Sequence, residues 1–190
     1  IDFTLIRESS SWEDWFRIPS VSRMIRSINE RYGISPGIET GIAEIIWNSL
    51  RTRIRLGDAK NSPVLELVEA KKELREAIFF FPIPFNSEKN NSIQGKEISN
   101  PINYYSKIGI EGWTIKKGFL RGSIDFLFEY ESKIYILDWK SNFLRNYSQK
   151  ALSIEVAEKY ELQLQIYTIA TSYWFKLNNK KKYDQKFGGI

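Results

Sequence analysis

The 190-residue chain contains no cysteine and no histidine. The first absence excludes disulfides, thiolate zinc sites and cysteine-ligated iron–sulfur clusters. The second removes zinc–histidine chemistry and every histidine general base. Any metal held here must be hard and oxygen-ligated, with magnesium, manganese or calcium the natural candidates. A reducing cytoplasm fits a thiol-free chain. Long hydrophobic runs are missing too. The most apolar stretch, Ala77 to Phe85, is short and carries Pro82 and Pro84, so it reads as a core strand rather than a membrane span. Nothing resembles a signal peptide, no internal repeat is visible, and no Gly-x-x-x-x-Gly-Lys-Ser/Thr phosphate loop occurs, so ATP binding is not expected of these residues.

Hydrophobic residues make up 42% of the chain and aromatics 15%, which argues for a globular fold with a real core. The net charge of +5 permits a polyanionic partner without demonstrating one. The first third reads as helical. Pro19-Ser20-Val21-Ser22 opens a helix with Val21, Ile25, Ile28 and Tyr32 at helical spacing, ended by Gly33. A second starts near Ile38 and runs through Ile42, Ile45, Ile46, Leu50 and Ile54, and a third, short one covers Glu66 to Leu74. The period then changes: Arg75 to Phe85 is strand-forming, and Asn86 to Asn100 reads as a polar loop. Division follows at this change, into a helical part over 1–74 and a core over 75–190. An opening on Ile1 and an ending at Phe187-Gly188-Gly189-Ile190, which looks like a strand just beginning, fit an excised fragment.

From Gly118 the pattern is a hairpin, with Phe119 to Tyr130 as one strand, Glu131-Ser132 as the turn and Lys133 to Lys140 as the return. Large apolar residues occupy both faces, Ile124, Phe126 and Phe128 on one and Leu127 on the other, so a sheet covered on both sides by helices is expected. One long helix from Ser148 to Lys176 follows, with Leu162, Ile166, Ile169 and Tyr173 as its apolar stripe.

Asp138-Trp139-Lys140 closes the apolar run Ile134-Tyr135-Ile136-Leu137. On an extended segment Asp138 and Lys140 share a face while Trp139 points away. An acid and a base at the end of a hydrophobic strand are costly unless partnered, and a divalent cation and a phosphodiester would partner both. With the turn centred between Glu131 and Ser132, Asp125 falls directly opposite Asp138. Carboxylates paired in this way, with Cβ atoms about 5 Å apart, repel unless a cation lies between them. A lone Asp-x-Lys is most often a surface salt bridge; the apolar run, the facing Asp125 and the following helix weigh against that reading here. In that helix Gln163 and Tyr167, four apart, share a face and could hydrogen-bond a phosphate or orient Lys140. The bland alternative is a partly buried amphipathic stripe. For Trp12, Trp15 and Trp113, core packing is favoured over contact with DNA or a partner.

These residues resemble a known family. Gly118-Phe-Leu-Arg-Gly-Ser-Ile-Asp125, Tyr135-Ile-Leu-Asp-Trp-Lys-Ser-Asn142 and Tyr160-Glu-Leu-Gln-Leu-Gln-Ile-Tyr167 are similar to the RecB nuclease domains, within the PD-(D/E)xK superfamily. Glu73 to Pro84 resembles the first sheet strand of that family, and Asp2-Phe3-Thr4 a segment near the domain start. The resemblance covers the C-terminal half well and the helical first third weakly. It implies an α/β fold of restriction-endonuclease type, a mixed sheet flanked by helices with a mainly helical N-terminal part. Asp125 and Asp138 would ligate magnesium, with manganese or calcium as substitutes in the site and the Trp139 carbonyl as a further ligand. Lys140 would position the attacking water or steady the developing charge. Gln163 and Tyr167 would form the family's Gln-x-x-x-Tyr motif, and Glu76 lies on the first strand with a less defined role.

The resemblance further implies a bacterial cytoplasmic enzyme of DNA break repair. A helicase motor would feed it single strands, RecC- and RecD-like subunits would accompany it, and no membrane would be involved. One departure stands out: the family has a metal-ligating histidine ahead of the segment resembled by Asp2-Phe3-Thr4, and this chain has none. Weak metal binding is therefore expected. A stand-alone PD-(D/E)xK exonuclease, and a non-catalytic DNA-binding or scaffold piece with an incomplete metal site, are the competing readings.

Overall fold

Side-chain caps start the first two helices. In the computed structural model, which describes residues 1–57, 60–83 and 118–190, the Asp2 carboxylate accepts from the Thr4 amide at 2.8 Å and opens α1 (Phe3–Glu8). The Ser11 hydroxyl accepts from the Asp14 amide and opens α2 (Trp12–Arg17). Each satisfies a backbone N–H that the first helical turn leaves orphaned. Pro19 begins α3 (Pro19–Arg31), where its missing N–H costs nothing. Gly33, at φ 63°, turns the chain out of that helix. Next comes α4 (Glu39–Arg51), then a short antiparallel pair of β1 (Arg53–Arg55) and β2 (Val64–Glu66), then a 3-10 turn at Leu67–Glu69. This first unit, Ile1–Ala70, has its own core. Trp15 and Ile6 are fully buried, the Trp15 and Trp47 rings lie 6.4 Å apart, and Arg7 donates to the Val68 carbonyl at 2.7 Å.

Two sequence expectations need correction in this stretch. The second helix stops at Arg51, so Ile54 is in a strand instead. The short helix expected over Glu66 to Leu74 is absent. Val64–Glu66 pairs with β1, Leu67 and Val68 are both fully buried in the 3-10 turn, and Lys71 already joins a long strand. Local helical propensity is overridden by strand pairing on both sides.

The second unit, Lys71–Ile190, is built on a mixed sheet of order β3-β4-β5-β6. Its strands are β3 (Lys71–Ile83), β4 (Gly118–Tyr130), β5 (Lys133–Leu137) and β6 (Phe187–Gly189). The first three run antiparallel, and β6 returns parallel to β5, so the strand expected to begin at Phe187 is there. Glu131 and Ser132 both take positive φ, 47° and 63°, as a tight two-residue hairpin turn requires. The turn fixes the expected register, with Leu127 opposite Ile136 and Phe126 opposite Leu137. Extending this register by one step sets Asp125 against Asp138. The return strand ends at Leu137, three residues sooner than expected.

After β5 come α5 (Gln149–Lys159), α6 (Glu161–Trp174) and α7 (Lys180–Lys186). The single long helix expected from Ser148 to Lys176 is therefore two, broken at Tyr160, whose φ of −122° lies outside the helical range. The break also rotates the buried stripe. Leu162 and Tyr173 are exposed at 41% and 54%, whereas Tyr167, Ala170 and Thr171 are buried, with Ile166 and Ile169 packed partly against the core.

The core gathers Ala77, Phe79, Phe81, Ile124, Leu127, Ile134 and Ile136 from the sheet with Tyr167 and Ala170 from α6. Helix α6 thus covers one sheet face. Phe126, Phe128 and Tyr135 are also buried and stack as an aromatic row, Phe128 on Tyr135 at 5.4 Å. Ile124 and Leu127 sit three apart yet share one cluster, so strict strand alternation breaks between them. The break falls level with Glu76, which takes φ 49° in the middle of β3. A non-glycine residue in that region costs roughly 1–2 kcal/mol. Among the described residues no helix is long and apolar enough to cross a membrane. The polar stretch Asn86 to Asn100 and Trp113 lie outside the described residues. Trp15 is core, as expected.

Candidate active site

The site forms where β5 ends and the chain peels off toward α5. Asp138 is the first residue beyond the strand, and its side chain is only 6% exposed. Each of its oxygens has a partner. Oδ1 accepts from the Tyr167 hydroxyl at 3.2 Å and from Gln163 Nε2 at 3.5 Å, while buried Oδ2 forms an ion pair with the Lys140 ammonium. Asp138 and Lys140, expected to share a strand face, instead pair directly with each other, and neither lies within a strand. Lys140 Nζ also donates to Gln163 Oε1 at 2.8 Å, and Gln163 Nε2 donates to the Tyr167 hydroxyl at 2.7 Å. The four side chains close a loop of three hydrogen bonds and one ion pair. Helix α6 makes this possible, because residues four apart stack on one helical face.

Asp125 projects from β4 across the hairpin. Its Oδ2 accepts from the Trp139 backbone N–H at 2.9 Å, so the amide of the Asp-Trp-Lys segment is tied to the opposing carboxylate. The Trp139 ring turns away from the acids and packs edge-on against Phe126 at 5.8 Å. Burial raises the Asp125 pKa above the ordinary carboxylate value. The Trp139 amide opposes that rise, the negative charges of Asp138 and Glu76 add to it, and Lys140 offsets part of it. Burial likewise raises the Tyr167 pKa, against the hydrogen bond from Gln163, and the Asp138 charge adds to the rise. Tyr167 is therefore a protonated phenol at neutral pH, as its donation to Asp138 requires.

Glu76 stands opposite Asp125, between the pairs Arg75–Phe126 and Ala77–Ile124. Its carboxylate accepts from the Ser123 hydroxyl at 3.4 Å. Backbone strain at a residue facing an acidic site is a recurrent sign of function. The sequence pattern places Glu76 on its strand but carries no sign of its left-handed backbone, and Ser123, Asn142 and Tyr160 have no expected role. For Tyr160 a signal existed: it precedes Gln163 by three, close to the spacing that stacks side chains along a helix.

Asp125, Asp138 and Glu76 offer only hard oxygen donors, and beyond the effect of burial the charges of Asp138 and Glu76 add to the rise in the Asp125 pKa. This donor chemistry suits magnesium, manganese or calcium. Among the described residues, no three His, Cys, Asp or Glu side chains are arranged to hold a metal by themselves. Magnesium sites commonly use one or two carboxylates, with water and substrate phosphate completing the shell, so the donor set still fits that ion.

The fold and site define an α/β domain with an acidic, lysine-bearing centre at a strand end. No protein-family model matches the chain. Over 89% of its length it is 33% identical to the RecBCD enzyme subunit RecB of Buchnera aphidicola subsp. Acyrthosiphon pisum, and over 91% it is 30% identical to that of Borreliella burgdorferi. Over 39% of the chain it is 36% identical to RecB of Escherichia coli, covering 7% of that protein. The chain belongs to the RecB family. It spans about 14% of the length of the first two relatives.

Proposed function

We propose that this chain is the nuclease portion of a RecB-type subunit, hydrolysing DNA phosphodiester bonds with magnesium as cofactor. The observation that carries the reading is the closed set of Asp138, Lys140, Gln163 and Tyr167 beside the opposed carboxylate of Asp125. Nothing in fold maintenance calls for a nearly buried acid, an amine, an amide and a phenol assembled at a strand end. A surface salt bridge, the bland reading of Asp-x-Lys, would not be expected to bury its carboxylate.

In this reading Asp125 and Asp138 hold the cation, with the Trp139 carbonyl as a further ligand, and Glu76 adds negative charge beside them. When bound, a divalent cation acidifies a coordinated water and neutralises charge on the scissile phosphate. The chain's own residues do the rest. Lys140 supplies a positive charge at the reacting phosphate, in a partly desolvated site where that charge counts for more than in water. Gln163 aims the ammonium, and the Tyr167 hydroxyl holds Asp138 in its rotamer. Among the described residues no groove-reading helix is recognised; binding through phosphate contacts weakens steeply with salt.

The RecB relatives carry the name of a RecBCD enzyme subunit. By that kinship the protein works in DNA break repair beside RecC- and RecD-like subunits. An ATP-dependent helicase motor outside these residues delivers single strands to the site.

The test is cleavage of labelled single-stranded DNA with magnesium and with EDTA, for the wild type and for Asp138→Ala and Lys140→Ala. The reading expects magnesium-dependent cutting that either substitution abolishes. Binding that is equal in EDTA, with no cutting under any condition, would instead favour a non-catalytic DNA-binding piece.

A further inference from the structure

Three groups hold the Lys140 ammonium, two of them the side chains of Asp138 and Gln163. The third is the ring of Tyr160, with Nζ 4.6 Å from its centroid. An ammonium over an aromatic face at this range is attracted by the ring's negative quadrupole. The same tyrosine acts a second time through its hydroxyl, which donates to Asn142 Oδ1 at 2.6 Å. Asn142 lies two residues past Lys140, on the segment leaving the strand end. One side chain thus faces the head of the lysine and also ties down the chain just beyond it.

Tyr160 can do this because of where it stands. It is the residue at which the expected long helix breaks, ending α5 and preceding α6. Its backbone N–H still bonds to the Val156 carbonyl and its carbonyl accepts from the Leu164 amide, so the junction is tied to both helices. The break is accordingly a fixed corner. A lysine side chain carries several rotatable bonds and loses much freedom when its head is held in one place. A rigid ring supplies such a hold without consuming any of the ammonium's three N–H donors, which stay available to oxygen acceptors.

We propose that Tyr160 is a positioning residue for Lys140, its ring fixing the ammonium and its hydroxyl, through Asn142, fixing the segment that carries it. The proposal rests on the nuclease reading for its catalytic consequence but not for its geometry. Two measurements keep these apart. The first is independent of activity: the ε-methylene proton shifts of Lys140 in the 190-residue chain labelled with ¹³C-lysine. Ring-current shielding should move them upfield. The displacement should survive in Tyr160→Phe, which keeps the ring, and vanish in Tyr160→Leu. Unshifted protons in the wild type, or a shift that persists in Tyr160→Leu, overturn the placement.

The second measurement is steady-state cleavage of single-stranded DNA. Tyr160→Leu should lower kcat about tenfold with KM within about twofold, because the hold acts on the charge that steadies the transition state. Tyr160→Phe should recover at least about a third of the lost turnover, and Asn142→Ala should cost less than Tyr160→Leu. Equal loss in Phe and Leu variants, or an unchanged kcat in Tyr160→Leu, overturns the positioning role. A wild type that carries the shielding but never cuts DNA retires the nuclease reading and leaves the placement of Lys140 standing.

Discussion

Gly122→Ala would press a methyl group into the core directly beneath the site. A Cβ at this position falls 2.3 Å from Cζ of Phe79, 2.8 Å from Cε1 and 3.1 Å from Cε2. Carbon atoms pack at about 3.5–4.0 Å, so the ring must retreat by about 1 Å or more. It has little room: Phe79 is 2% exposed and touches the rings of Phe81 at 5.6 Å, Tyr167 at 6.0 Å and Trp174 at 6.4 Å. Overpacking of this kind costs roughly 1–3 kcal/mol. For a chain of this size each kcal/mol moves Tm by about 2–4 °C, so a fall of roughly 2–12 °C is expected. Thermal unfolding followed by circular dichroism reads it directly. A double-mutant cycle with Phe79→Leu identifies the cause, since a smaller side chain at 79 relieves the clash. The cycle should return a favourable coupling of about 1 kcal/mol or more. Gly122→Ala within about 0.5 kcal/mol of wild type, or strict additivity with Phe79→Leu, would refute the reasoning.

Tyr167→Phe removes a hydroxyl that accepts from Gln163 and donates to a nearly buried Asp138. The expected loss is about 1–2 kcal/mol in chemical denaturation, and a neutral result would show that water replaces the hydroxyl freely. Asp125 has a raised pKa in the folded chain, caused first by burial and then, against the Trp139 amide, by the charges of Asp138 and Glu76. The folded state therefore binds this proton more tightly than the unfolded state. Its contribution to stability falls as pH rises from the unfolded carboxylate value, about 3.9, through the raised folded value, and returns on acidification. Asp125→Asn should accordingly be more stable than wild type at neutral pH and lose that advantage in acid; urea midpoints across pH test it, and a variant less stable throughout would contradict it. Gly188→Ala places a Cβ 2.3 Å from Cζ of Tyr135. It should loosen β6, seen as faster amide exchange in β6 with β4 protection retained. Unchanged exchange would refute the clash.

The hairpin was legible in the sequence because its signals agree. An apolar strand, a two-residue turn and a second apolar strand leave one register, and from it Asp125 falls opposite Asp138 without any coordinates. Gln163 and Tyr167 were legible for a similar reason, since four-residue spacing on a helix decides shared facing. What escaped depends on tertiary context. The strand stops at Leu137, so Asp138 and Lys140 meet through side-chain reach at the start of a loop rather than through strand alternation. The helix break at Tyr160 has no proline or glycine to announce it. Strand pairing, rather than propensity, claims Lys71 to Leu74. The left-handed Glu76 is stranger still, for an ordinary residue takes that conformation only where its surroundings impose it.

Asp125 and Asp138 flanking one hard divalent cation beside Lys140 is the claim on which the functional account depends. A crystal of the chain soaked in manganese, with anomalous diffraction recorded at the manganese edge, tests it most directly. The account expects a single strong peak within ligand distance of both carboxylates and close to the Trp139 carbonyl. Density elsewhere, or none at saturating manganese while Lys140 remains paired with Asp138, would contradict it.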